Sequence, residues 1–428
     1  MTSGTSRRAE RTVFLRTRGT GRVRTVSALV GALAAVGVGL APGATAVDTE
    51  NPWYLETMQA EQMWQTSTGE GVKVAVIDTG VNPETSSLKG QVLTDEVPES
   101  VAYGATDDYS GHGTTMAELI AGTGEGGGIQ GLAPGAKILP IRVALEGLEV
   151  GPEFEKAPET WDALRAAADT DARIISMSFG GMTSDEDDAA VRYAASKGKL
   201  LVSALGNDGF TDSPADTPYV IGAAAVDSSI KVIEGSPEGK YADLAAPGAD
   251  IPGWCDATFQ SYCAKNGSSS ATALTSASAA LIWSAHPDWT VNQVTRALVD
   301  TAGRDWPKEK PSSYLGYGFV RPRLVLAEPD YDGGPANVDP LAKENGGDLL
   351  AKSAEPAGAS PSPSGSSSSP SGSSPAPQEG SSGGTSAAGS NASESGDSNT
   401  LWITVGAAAA VIVVGGAGFA VLRARRTR

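Results

Sequence analysis

Between residues 53 and 326 short apolar runs alternate with segments of helical spacing. The runs at 72–77, 137–143, 173–179, 200–205 and 219–226 are rich in β-branched residues and mainly apolar, without strict alternation of polar positions. Predominantly apolar character over so few residues marks strands buried on both faces, the condition of a parallel sheet covered by helices. In the intervening stretches 114–121, 159–168, 187–196, 270–285 and 292–302, apolar residues recur every three or four positions, which predicts helices. The expectation is an α/β fold with a mainly parallel central sheet over residues 71–330. Functional groups should then lie just past the carboxyl ends of the strands.

The two ends of the chain follow other rules. Residues 1–46 carry seven Arg, then an apolar stretch at 26–41, then Ala44, Thr45 and Ala46, the pattern of a cleaved secretory signal peptide. Residues 47–70 form an N-terminal extension ahead of the first strand. From 331 to 400 a tether is expected, because 351–399 is almost entirely Ser, Gly, Pro and Ala and cannot bury enough apolar surface to offset chain ordering. Residues 401–422 are uncharged and as a helix would span about 33 Å, enough to cross a bilayer. The tail at 423–428 carries four Arg, and a basic flank stays cytoplasmic. Together these predict a single-pass protein of the cell membrane with an extracytoplasmic domain.

The net charge of −18 hides a division, since eleven of the 32 basic side chains sit in the two terminal segments. The part between them is strongly acidic, which excludes nucleic acid as a main partner, because phosphate binding needs clustered Lys and Arg. Two cysteines rule out a disulfide-dense scaffold and a four-thiolate metal site. Cys255 and Cys263 share one loop of an exported domain, so a disulfide between them is expected. No calcium-loop motif appears, and neither a metal site nor a cofactor is expected.

Four places carry candidate chemistry. The run VKVAVI ends in Asp78, a carboxylate at a strand end, although Asp and Gly also make ordinary turns. His112 stands between Gly111 and Gly113 and is one of only two histidines; the other, His286, precedes Pro287 and reads as a helix-end residue. Another run ends in Leu205, Gly206, Asn207, Asp208 and Gly209, which taken alone is a plain turn. Gly267, Ser268, Ser269 and Ser270 open a long apolar helix, where serine also serves as a simple cap.

Taken jointly, these segments resemble the subtilisin-like serine proteases, whose triad runs Asp, His, Ser along the chain. VAVIDTG matches the aspartate motif, GHGTTMAELIAG the histidine motif, SALGNDG the oxyanion asparagine motif and NGSSSATALTSASAAL the serine motif. The resemblance covers residues 53–326 and implies a subtilisin-like three-layer fold acting as a serine endopeptidase on proteins or peptides. It implies Asp78, His112 and Ser269 as the catalytic residues and Asn207 as the oxyanion donor. Ser178, Phe179, Gly180, Ala204, Leu205 and Gly206 would edge the substrate cleft. Within the family the chain is most similar to the mycosins, membrane-anchored proteases of actinobacterial type VII secretion systems. That likeness implies secretion-system membrane components as partners and an N-terminal extension wrapped along the catalytic domain.

Some positions depart from the family pattern. Ser268 stands for Thr, Ala273 for Pro, Ala277 for Gly, and Glu118 for the Gly usual in the histidine helix. Two other readings therefore stay open: a catalytically weak or inactive scaffold of a secretion complex, and a tethered surface binding protein.

Overall fold

The computed structural model describes residues 47–49 and 51–347. Its centre is a six-stranded parallel sheet of β1 (Lys73–Asp78), β2 (Lys137–Arg142), β3 (Ile174–Met177), β4 (Leu200–Ala204), β5 (Val220–Val226) and β6 (Leu244–Pro247). The strand order is β2-β1-β3-β4-β5-β6. All five expected strands are present, and their residues are buried almost without exception, which is why the sequence runs apolar rather than alternating. β6 was not anticipated as a strand: LAAP is short, Ala-rich and ends in Pro, so it carries little β signature.

The chain enters this sheet through α1 (Trp53–Met58) and α2 (Ala60–Trp64), both within the N-terminal extension. Tyr54, Met58, Ala60 and Met63 are buried in the main core. Trp53 Nε1 donates to the Ala249 carbonyl at 2.9 Å, and Ser67 Oγ to the Leu281 carbonyl at 2.7 Å. The extension is thus laid along the domain, as the mycosin likeness implied.

From β1 the chain passes through α3 (His112–Ala121) to β2 on one side, then returns through α4 (Pro152–Lys156) and α5 (Thr160–Asp169) to β3 on the other. Right-handed crossovers in opposite directions put α3 and α5 on opposite faces of the sheet. α6 (Asp185–Ser196) packs with α5, and α7 (Ser268–Ala285) packs with α3 and on β3 to β6. The strand order reverses at β1, so a crevice opens beyond the carboxyl ends of β1 and β3, where α/β folds bind ligands. α7 is buried all round from Ser270 to Trp283, and its Ala, Ser and Thr residues let it run close against the strands.

An antiparallel ribbon, β7 (Ile251–Trp254) and β8 (Tyr262–Lys265), lies beside α3 and is closed by the expected Cys255–Cys263 disulfide. The Trp254 and Tyr262 rings approach to 3.9 Å. Tyr262 Oη donates to Glu118 Oε2 at 3.2 Å, and Ser87 Oγ to Glu118 Oε1 at 2.6 Å. Glu118 is fully buried, and this burial pushes its carboxyl up to about 7 against the hydroxyl donors that pull it down. One carboxyl group therefore joins α3, the ribbon and the segment after β1.

After α8 (Val291–Thr301) and α9 (Pro322–Leu326) the folded part continues further than expected. Residues 331–347, which composition had placed in the tether, pack on the domain. Arg296 donates to the carbonyls of Gly333, Pro335 and Val338, Asn345 Oδ1 accepts from Tyr219 N at 2.7 Å, and Leu341 is buried. The stretch had looked like linker because backbone carbonyls, invisible in composition, hold it. Among the described residues no helix is long and apolar enough to cross a membrane. The expected signal peptide at 1–46, most of the tether and the apolar segment at 401–422 lie outside the described residues.

Two outcomes follow. Replacing Cys255 and Cys263 with Ser should lower stability by about 2.5 kcal/mol on the loop-entropy model, read as the denaturant midpoint, with alkylation of the unreduced wild type finding no free thiol. Because the Glu118 carboxyl titrates higher in the folded chain than its ordinary 4.5, it favours folding while protonated. That contribution fades as pH rises from the ordinary carboxylate range through about 7. Glu118→Gln, which stays neutral, should match wild type in acid and exceed it above neutrality by up to about 3 kcal/mol, measured by unfolding at paired pH values.

Candidate active site

Asp78 is the last residue of β1 and is wholly buried at the crevice. His112 opens α3, and its Nδ1 lies 2.7 Å from Asp78 Oδ1. A carboxylate can only accept, so Nδ1 carries the proton and Nε2 is left as the basic nitrogen. The two glycines flanking His112 are there for space. Gly111 has φ +83°, and a Cβ on it would sit 2.8 Å from the Asp256 carbonyl oxygen. A Cβ on Gly113 would sit 2.1 Å from the Gly80 carbonyl oxygen, so only glycine lets the helix start against the end of β1.

Asp108, which the sequence did not single out, holds this junction. Its Oδ1 accepts from Thr79 Oγ1 at 2.7 Å, Ser110 N at 2.9 Å and Gly111 N at 2.8 Å. Its Oδ2 accepts from Thr114 N at 2.9 Å and Thr114 Oγ1 at 2.6 Å. Thr79 in turn accepts from Gly113 N at 2.9 Å. The only signal in the sequence was an acid shortly ahead of the Gly-His-Gly triplet. Burial disfavours the imidazolium of His112, but the charge and hydrogen bond of Asp78, helped by Asp108, outweigh it and hold the imidazole above its ordinary 6.5.

Arg142, at the end of β2, is a buried guanidinium lying 5.1 Å from the Tyr109 ring centroid. It is paired at 3.3 Å with both Asp107 and Glu153. It thereby ties the loop that carries Asp108 to α4, whose Phe154 lines the cleft.

Three serines begin α7, and burial separates them. Ser268 and Ser270 are 1% and 2% exposed, whereas Ser269 is half-buried and lines the same cleft as His112. Ser268 Oγ is used structurally, accepting from Gly206 N at 3.1 Å and donating to Asn207 Oδ1 at 3.1 Å. Ser268 N also donates to Asn207 Oδ1, at 2.7 Å. With its oxygen so engaged, the Asn207 side chain is oriented with only its amide group left to donate. Ser269 Oγ donates to the Ser178 carbonyl at 3.1 Å, and Ser178 Oγ to the Ser269 carbonyl at 3.1 Å.

The cleft has a volume of about 890 Å³. Ser178, Phe179, Gly180, Ala204 and Gly206 are among the residues that line it. Leu205 does not: it is 1% exposed and packs toward Gly222, because successive strand residues point to opposite faces. His286 stacks on Trp289 at 3.9 Å, away from these groups. Among the described residues no group of three or more His, Cys, Asp or Glu is arranged to hold a metal ion.

Comparison with known proteins agrees with this geometry. The family model described as the subtilase family, Peptidase S8, matches residues 69–318. Thermitase of Thermoactinomyces vulgaris is 32% identical over 282 residues, covering 60% of this chain and 93% of thermitase. Subtilisin E of Bacillus subtilis (strain 168) is 34% identical over 266 residues, covering 59% of this chain and 63% of subtilisin E. Among solved structures, the MycP3 protease from the type VII (ESX-3) secretion system superposes with a TM-score of 0.53 at 28% identity, covering 68% of this chain and 90% of that one. MycP1, an essential component of the type VII (ESX-1) secretion system, gives a TM-score of 0.55 at 25% identity, covering 66% and 90%. A family match over more than half the chain, on the sheet order and junctions described above, means that the chain belongs to the subtilase family of serine peptidases.

Proposed function

We propose that the protein cleaves peptide bonds with Asp78, His112 and Ser269 as its catalytic triad and Asn207 as the side-chain donor to the oxyanion. The observation that carries this is the 2.7 Å contact of His112 with the buried Asp78, in a cleft where Ser269 is the accessible one of the three serines that begin α7. A neutral serine hydroxyl is a weak nucleophile, so His112 Nε2 takes its proton as Oγ attacks the carbonyl and later gives it to the leaving amine. Asp78 keeps the proton on Nδ1 and stabilises the imidazolium. The Asn207 amide and the Ser269 backbone N–H, in the first turn of α7, supply donors where negative charge develops. In the resting arrangement Ser269 Oγ is bonded to Ser178, so a rotation of the Ser269 side chain towards His112 precedes attack. A scaffold without activity would display that same bond.

By likeness to MycP3 and MycP1, the protein works beside the membrane components of a type VII secretion system. The signal-like N-terminus, the Ser-rich stretch and the apolar segment at 401–422 with its four following Arg support an anchored protease whose catalytic domain is extracytoplasmic.

A fluorophosphonate probe should label the wild type; Ser269→Ala should lose the label, whereas Ser268→Ala and Ser270→Ala should keep it. Absence of label and of cleavage across a broad peptide library would leave the scaffold reading. Asn207→Ala should cut kcat about 10² to 10³-fold, the magnitude known from subtilisin itself. Since the His112 imidazole titrates above 6.5 and must be neutral to act, kcat/KM should rise with pH through a limb centred above that value. Protease added to intact cells should release a soluble domain cut within residues 351–399; a domain protected until lysis would refute the orientation.

A further inference from the structure

The cleft beside Ser269 is charged in one sense. Its lining includes Glu146, Asp208 and Asp212 and no Lys or Arg. Neither Glu146 nor Asp212 has an ion-pair partner among the described residues. Asp212 is also built into the wall. Gly181 N and Met182 N both donate to the Ser213 carbonyl, at 2.9 and 3.1 Å, and Ala215 N donates to the Asp212 carbonyl at 3.1 Å. These bonds turn the backbone just after Asp212 and fix it against the segment that follows β3.

Gly180 keeps the carboxylate open to the cleft. A Cβ on Gly180 would stand 2.8 Å from Asp212 Cβ and 3.3 Å from its Oδ2, so any side chain there would press on the acid. Gly180 is two residues past Ser178, whose carbonyl accepts the Ser269 hydroxyl. The acid therefore flanks the wall that leads straight to the nucleophile. On the other side of Ser269 the surroundings change: a smaller cavity of about 190 Å³, also lined by His112 and Ser269, contains Lys265 and no acid. The nucleophile sits between an acidic lobe and a lobe with one cation.

We infer that the cleft selects a basic residue, Lys or Arg, immediately before the scissile bond, with Asp212 as its counter-charge and Asp208 and Glu146 adding to the field around it. This rests on the triad reading above and supplies the substrate preference that reading lacks. Exposed ion pairs contribute little, but a substrate filling the cleft excludes water from the pair and lowers its screening. A negative substrate residue would meet three like charges with no compensating cation, so rejection of Glu and Asp is as much a part of the selection as attraction of Lys and Arg.

The test uses the full chain and peptides that differ only in the residue before the cut. Arg and Lys should exceed Leu by roughly tenfold or more in kcat/KM, with Glu slowest, and the preference should shrink as salt is raised. Asp212→Asn should lower the Arg to Leu ratio about tenfold, and Asp212→Lys should turn the preference towards Glu. A wild-type ratio at or below one, or a ratio unmoved by both substitutions, would overturn the inference. Binding of product peptides ending in Arg, Leu or Glu to Ser269→Ala, followed by calorimetry, separates it from the enzyme reading. Arg-selective binding in a protein whose wild type cleaves nothing would sink the triad reading and sustain the charge selection. Cleavage without Arg selectivity would do the reverse.

Discussion

Asp108 is a buried carboxylate that meets five donors, and the geometry of His112 depends on them. Three of the donors belong to the loop and strand end preceding His112, and two belong to Thr114, in the first turn of α3. A charge held away from water is tolerable only when its lone pairs are occupied. Occupying them here forces the loop to close over the helix start and so aims the imidazole at Asp78. The same charge adds to the field that favours the imidazolium. Position and basicity of one side chain thus have a common source.

How much of this was legible in the sequence depended on what each segment spends its side chains on. Strands such as VIGAAAV and helices such as α8 declare themselves, because burial on both faces or on one stripe must be written in apolar residues. The motifs around Asp78, His112, Asn207 and Ser269 were legible because strand ends, glycine contacts and a helix start are each local. β6, the β7 and β8 ribbon and residues 331–347 were not, since backbone groups and tertiary packing hold them rather than any periodic pattern. Asp108 and Asp212 were also hidden. An aspartate in a loop looks the same whether it makes a turn, anchors a junction or walls a cleft. Only the fold reveals which donors or glycines it faces.

The departures from the family pattern have local physical explanations in three of four cases. Ser268 still supplies a hydroxyl, and both Asn207 and Gly206 use it. Ala277 is fully buried in α7 and is small enough for the close approach of that helix to the sheet, where glycine would add only backbone freedom. Glu118 occupies space beside Ser87 and Tyr262 and turns a packing contact into a polar link between α3 and the ribbon. For Ala273 nothing in the structure explains the choice beyond its fit in a buried helix.

The docking of residues 331–347 has a mechanical side. Tension applied to the chain beyond Gly347 would load the domain through the Asn345 to Tyr219 bond, the Tyr317 to Glu344 bond and the three carbonyls held by Arg296. These attachments lie at the amino end of β5, on the loop before α9 and on α8, whereas Asp78, His112 and Ser269 sit at the carboxyl end of β1 and at the starts of α3 and α7. A pull would peel the strap one anchor at a time before it reached the sheet. The strap thus serves as strain relief, leaving Asp78, His112 and Ser269 in register while the domain is tugged.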